Sequence, residues 1–194
     1  MAITMNTVLG EAFGPSEGTA KRVKEVVLVL AGIALLAIAS KIRVPMWPVP
    51  MTMQTFAVLT VGAGLGLRLG LASLLGYVAL GAAGVAVFAG DSAGLAYMTG
   101  PTAGYLVGFV AAAAAMGAMA RRGLDRNVLT MAGAMLVGNA IIYVFGVAWM
   151  AYLFGAAKGM DWVMQYGMTN FLVGDALKLA LAALVVPGLW KLAR

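Results

Sequence analysis

The chain contains no cysteine and no histidine. Without cysteine it can form no disulfide and no thiolate metal site. Without histidine it lacks the commonest acid–base group at neutral pH and the commonest metal ligand. No nucleophile–histidine arrangement or zinc signature can be assembled, so we expect neither an enzyme nor a metal or cofactor. The segment G-x-x-x-x-G-K-[ST], which cradles nucleotide phosphates, is also missing, so the chain has no ATPase machinery of its own. Charge is scarce: 10% of the 194 residues are Asp, Glu, Lys or Arg, against about 25% in soluble domains.

What the chain has instead is apolar surface. Hydrophobic residues make up 63% of it, and the mean hydropathy is +0.97. One core of this size cannot hide so much, so a lipid bilayer must cover part of it. The 26 glycines suit close helix packing in lipid. The net charge of +6 comes from basic residues at the ends of apolar runs, with no aromatic-interleaved patch. That pattern fits membrane orientation and gives no reason to expect nucleic acid as a partner.

Residues 1–20 are polar and read as a mobile tail, followed by a single membrane domain over 21–194. The first apolar run, 26–42, lacks a small-residue cleavage site and reads as a retained helix. Three prolines at 45, 48 and 50 then make 44–55 an apolar connector that cannot be helix interior. It suits a loop folded back at membrane depth, with Trp47 at the interface. A short helix over 56–67, a tight basic turn over 66–70 and a helix over 71–88 follow. A fourth helix starts at Gly100-Pro101 and reaches 120, a fifth covers 129–154, and an interfacial piece over 161–165 leads to a sixth over 170–189, kinked or ended by Pro187. The expected fold is therefore all-α and polytopic, with six transmembrane helices. Placing both termini in the cytoplasm puts Lys21, Arg22, Lys24, Arg68, Arg121, Arg122, Arg126, Lys191 and Arg194 inside. Only Lys41, Arg43 and Lys158 then face out, which follows the positive-inside rule.

Asp175 and Lys178 are the strongest chemical signal. They interrupt an apolar helix, and their i, i+3 spacing puts them on one face. They can neutralise each other while offering an acceptor and a donor to a ligand; a plain structural ion pair is the alternative. Gly100, Gly104, Gly108 and Ala112 form a smooth ridge that suits close packing, with Thr102 and Tyr105 adding hydroxyls beside it. Thr52, Gln54 and Thr55 either cap the second helix or line a pocket under the loop. Asn139 and Tyr143, one turn apart, form a second polar face.

Four stretches in order carry a resemblance: P-V-P-M-T-M-Q-T-F (48–56), G-P-T-A-G-Y-L-V-G-F (100–109), G-N-A-I-I-Y-V-F-G (138–146) and G-D-A-L-K (174–178). Together they resemble the BioY family, the biotin-specific S components of energy-coupling factor (ECF) transporters. Val173 departs from the proline that the resemblance leads one to expect before Gly174. The resemblance implies a six-helix protein of the cell membrane that binds biotin near the outer side. It also implies a transmembrane T component and two ABC-type ATPases as partners. It reads Gly174, Asp175 and Lys178 as ligand contacts. Gln54, Thr52, Thr102, Tyr105, Asn139 and Tyr143 complete the set of candidate binding residues. An ion-coupled secondary transporter titrating Asp175, a structural membrane subunit and an S component for another vitamin are the competing readings.

The missing phosphate cradle has a direct consequence. The purified chain in lipid vesicles should hydrolyse no ATP, whichever side the nucleotide is added to. Phosphate release above that of empty vesicles would defeat this expectation.

Overall fold

The computed structural model describes residues 7–193. Helix dominates because every backbone polar group at membrane depth must find its partner within the chain. The elements are α1 (Leu9–Ala12), α2 (Gly18–Lys41), α3 (Gln54–Ala82), α4 (Gly94–Met98), α5 (Ala103–Arg121), α6 (Val128–Lys158), α7 (Met160–Gly167) and α8 (Leu172–Leu192). A 3-10 turn, Thr169–Phe171, leads into α8. A two-stranded antiparallel ribbon, β1 (Arg43–Val44) with β2 (Met51–Thr52), closes the proline-rich connector on itself and pairs Arg43 with Thr52.

Among the described residues five helices are long and apolar enough to cross a membrane, yet the chain makes six passes. The difference lies in α3, which is broken at Gly66 (φ 73°, ψ −177°). This region of backbone space is open essentially to glycine alone. The chain reverses there: a methyl on Gly70 would lie 3.3 Å from the Gly62 Cα, whereas eight residues of straight helix span about 12 Å. The tight turn expected over 66–70 is this hairpin. Its returning arm runs alongside α2, with Ser73 Oγ donating to the Val29 carbonyl at 3.3 Å.

The other boundaries shift for local reasons. The helix expected to reach 88 stops at Ala82, because Phe88 folds back over Gly81 so closely that a Cβ there would lie 2.1 Å from the ring. Pro101 sits in the turn ahead of α5, which begins at Ala103. Pro187 lies inside α8 and does not end it. The short helix α4, in the connection between α3 and α5, was not expected. The glycine ridge on α5 serves packing: a Cβ on Gly104 would meet the Trp149 Cβ at 2.3 Å, and one on Gly108 would meet the Ile142 Cα at 2.9 Å. Helices α5 and α6 therefore approach backbone to backbone.

One end of the bundle holds the hairpin turn, the chain's first described residues and the end of α8. Residues 7–12, expected within a mobile tail, are docked here, while residues 1–6 of that tail and Arg194 lie outside the described residues. Val8 is fully buried against Gly66. Glu11 pairs with Arg121 at 2.7 Å, and Arg126 donates to the Thr7 carbonyl at 3.0 Å. Trp190 Nε1 donates to Asp125 at 2.6 Å, and Arg126 lies over the Trp190 ring. Burial pushes the Asp125 carboxyl above its ordinary range. The opposite end carries the proline-rich connector, α4 and α7. There Lys41 Nζ donates to the carbonyls of Ala86 at 2.6 Å and Phe88 at 3.0 Å. Trp47 is seated edge-on against Phe154 and Trp162.

Arg68, Arg121, Arg122 and Arg126 thus share an end with both described chain ends, and Lys41, Arg43 and Lys158 share the other. With the first end in the cytoplasm, a cysteine introduced as Asp91→Cys should react with an impermeant thiol reagent added to whole cells. One introduced as Arg122→Cys should react only after the membrane is opened. The reverse pattern would invert the orientation.

Candidate functional site

A partly open pocket lies at the connector end of the bundle; its empty space, counted with the solvent at its mouth, is about 520 Å³. Its position follows from the local folding of three segments. The β1–β2 ribbon turns Val49, Pro50, Met51 and Thr52 inward as a roof. Residues Gln54 and Thr55, in the first turn of α3, come up from one side. Asp175 and Lys178, in the first two turns of α8, come from another. Helices α5 and α6 complete the walls with Tyr105, Leu106, Phe109 and Tyr143.

The charged pair forms the polar floor. Asp175 and Lys178 are 6% and 8% exposed, so each would be costly at membrane depth without a partner. Lys178 Nζ contacts Asp175 Oδ1 at 2.8 Å. The Thr55 hydroxyl donates to the same Oδ1 at 3.1 Å and accepts from Lys178 at 3.1 Å. The Tyr143 hydroxyl donates to Asp175 Oδ2. The carboxylate is thus held by three donors from three helices. A ligand entering the pocket meets it beside an ammonium, a donor–acceptor edge among apolar walls.

A second polar group is fixed from behind. Gln54 Nε2 donates to the Tyr77 hydroxyl at 2.7 Å, and that hydroxyl donates to the Val87 carbonyl at 3.0 Å. The Thr52 hydroxyl donates to Gln54 Oε1 and accepts from the Gln54 backbone N–H, both at 3.2 Å. Gln54 is thereby held in one orientation at the pocket wall. Tyr105 donates to the Gly167 carbonyl at 2.6 Å, which ties α5 to the end of α7. Tyr97 stacks on Phe88 with ring centres 4.7 Å apart and adds an aromatic face to the pocket.

Of the residues singled out in the sequence, Thr52, Gln54, Thr102, Tyr105, Tyr143, Asp175 and Lys178 all stand on the pocket wall. Two do not. Gly174 faces Met51 of the roof, and a Cβ there would lie 2.5 Å from the Met51 sulfur. Its role in the fold is to let the loop sit close to α8. Asn139 faces away from the pocket, into an apolar groove between α6, α7 and α8. The sequence reading left Thr55 open between capping and lining, and did not find Ala89, Tyr97, Phe109 or Phe171. The mostly apolar residues of this second group carry no signal that separates pocket wall from lipid-facing surface.

The comparisons with known proteins meet this geometry. A family model described as the BioY family matches residues 10–194. The chain belongs to the BioY family. One relative is a "Probable biotin transporter BioY" of Pyrococcus horikoshii, 38% identical over 164 residues, which cover 84% of this chain and 94% of that protein. Another is a "Biotin transporter BioY" of Thermotoga maritima, 34% identical, covering 85% of this chain and 96% of that one. A solved structure, described as the S-component for biotin from an ECF-type ABC transporter, superimposes with a TM-score of 0.79. It is 22% identical and covers 90% of this chain and 95% of its own, so it supports the BioY fold independently of close sequence similarity. The BioY chain is accordingly a multi-pass membrane protein.

The Gln54–Tyr77–Val87 chain yields a stability test. Tyr77→Phe removes the acceptor for Gln54 and the donor for Val87 in a fully buried place. Thermal unfolding in detergent should show a loss of about 1–3 kcal/mol, the range for stranding a buried polar group. Unchanged stability would mean that Gln54 finds another partner and is not held by Tyr77.

Proposed function

We propose that this chain is the substrate-capturing S component of an ECF-type importer. In this reading it binds biotin from the outer side, in the pocket bounded by Asp175, Lys178 and Gln54. The observation that carries the reading is the placement of the buried Asp175–Lys178 pair on the wall of a partly open, mostly apolar pocket. A purely structural pair would be sealed among side chains. The names borne by the relatives supply the ligand, and its chemistry suits the cavity. The ureido ring of biotin presents an N–H beside a C=O, the complement of a carboxylate beside an ammonium. Its fused rings are mostly apolar, as are Val49, Leu106, Phe109 and Phe171.

Asp175 would accept the ureido N–H and Lys178 would donate to the ureido oxygen. Gln54, Thr52, Thr102, Tyr105 and Tyr143 would orient the ring and the tail. Capture without a phosphate cradle calls for a separate engine. We assign that role to a transmembrane T component and two ABC-type ATPases, the assembly implied by an ECF-type ABC transporter. Residues 21–194 would form the single binding domain. Both termini, with the basic end of the bundle, would face the cytoplasm. An ion-coupled transporter titrating Asp175 fits less well, because protonating that carboxylate would strand the Lys178 ammonium in a buried site.

The test is biotin affinity and thermal stability for Asp175→Asn, Lys178→Met and the double variant. Asp175→Asn keeps the shape but removes the charge. Loss of a charge-assisted hydrogen bond, worth about 1.5–3 kcal/mol, should weaken binding by about 10- to 100-fold. The double variant removes the stranded charge and should regain stability without regaining affinity. A stable double variant that binds biotin like the parent chain would take the pair out of the binding site.

A further inference from the structure

Outside the pocket itself, the connector end carries three basic residues, Lys41, Arg43 and Lys158. The Lys41 ammonium is fully engaged: it donates to the carbonyls of Ala86 at 2.6 Å, Phe88 at 3.0 Å and Gly90. Lys158 ends α6, fifteen residues beyond Tyr143, the residue of that helix on the pocket wall. That separation is about 22 Å of helix. Arg43 differs from both. It donates no hydrogen bond and forms no ion pair among the described residues.

The Arg43 guanidinium is nonetheless held in place. A Cβ on Gly90 would lie 3.0 Å from its Cζ and Nη1 and 3.1 Å from its Nη2. Three nearly equal distances mean that the guanidinium plane lies face-on against Gly90. Its N–H edge is left for an acceptor. The ribbon partner of Arg43 is Thr52, and such partners point to the same face. Thr52 lines the pocket, as do Ala89, next to Gly90, and Tyr97. Burial pushes the Tyr97 hydroxyl above its ordinary range, while hydrogen bonds with Thr102 and the Ala89 backbone and the charge of Arg43 pull it back. The guanidinium therefore stands beside three wall residues, and Arg43 is itself exposed to water.

The charged floor of the pocket offers no net charge. Asp175 and Lys178 neutralise each other, and in the biotin reading they take the N–H and C=O of the ureido ring. Biotin also carries a carboxylate, at the end of a flexible methylene tail. In a mostly apolar pocket that group needs water or a cation. We propose that Arg43 is the cation that receives the ligand's carboxylate, at the edge of the pocket beside Thr52, Ala89 and Tyr97. The planar fork of an arginine matches a carboxylate in two parallel hydrogen bonds. Contact with Gly90 restricts the fork before the ligand arrives, which lowers the entropy lost on binding. Arg43 is then a specificity-determining residue that selects the acid over its neutral derivatives. The proposal rests on the biotin reading of the pocket.

The test crosses ligand with protein. Affinity for biotin and for its uncharged carboxamide is measured for the parent chain, Arg43→Gln, Arg43→Lys and Lys178→Met. The parent should prefer the acid by about 3- to 30-fold, the exposure of Arg43 keeping the pair below the full value of a buried one. Arg43→Gln should weaken biotin by about that factor and change amide binding little, so that the preference disappears. Arg43→Lys should keep part of it. Lys178→Met should weaken both ligands and keep the preference. A parent chain that binds acid and amide equally would overturn the proposal, and this measurement needs no variant to fold. So would an Arg43→Gln chain that weakens both ligands alike or keeps the parent's preference. Loss of the preference in Lys178→Met would give the tail to Lys178 and overturn it as well. A parent chain that binds neither ligand would overturn the biotin reading, and the proposal with it. One that binds both equally leaves the biotin reading standing.

Discussion

A carboxylate and an ammonium at membrane depth have no water to hydrate them, so they persist only if they satisfy each other and if neighbours satisfy what remains. The 2.8 Å contact between Lys178 and Asp175 meets the first condition, and Thr55 and Tyr143 meet the second. Those two hydroxyls arrive on different helices, α3 and α6. The pair therefore draws α8, α3 and α6 to one point near the connector end. The pocket, its roof and its walls are arranged around that point.

Close packing makes the convergence possible. Gly104 and Gly108 let α5 touch the α6 backbone, which brings Tyr105 and Tyr143 to the same cavity. The hairpin at Gly66 returns α3 within the bundle. Its first arm delivers Gln54 and Thr55, and its second arm delivers the Tyr77 hydroxyl that holds Gln54 from behind. In lipid, where helices gain nothing by hiding apolar surface from tails that are equally apolar, such van der Waals contact and interhelical hydrogen bonding are what association depends on.

The two ends of the bundle differ in kind. At the connector end, short loops and aromatic contacts surround a polar spot in a mostly apolar pocket. At the other end Arg121, Arg126, Asp125 and Trp190 tie the first described residues, the α5–α6 turn and the end of α8 together. The proposed capture of a ligand at one face is consistent with this asymmetry.

Much of this was legible in the residues. Apolar runs with basic ends define six passes, because only a helix with its polar groups satisfied can cross lipid. Asp175 and Lys178 stand out because charge within such a run is expensive. The proline-rich connector declares itself by being apolar and unable to continue a helix. What the sequence did not decide is how each helix is rotated about its axis. Asn139 and Tyr143, one turn apart, read as equal candidates, yet Tyr143 reaches the pocket while Asn139 faces the groove outside it. Thr55 bonds to Asp175 across 120 residues, and Tyr97 and Phe171 reach the wall from the short helix α4 and a 3-10 turn. In a soluble protein the apolar stripe marks the inward face of a helix. Here lipid is as apolar as the core, so periodicity carries little information about facing. Only the packed bundle, through glycine contacts and buried hydrogen bonds, determines which side chains meet.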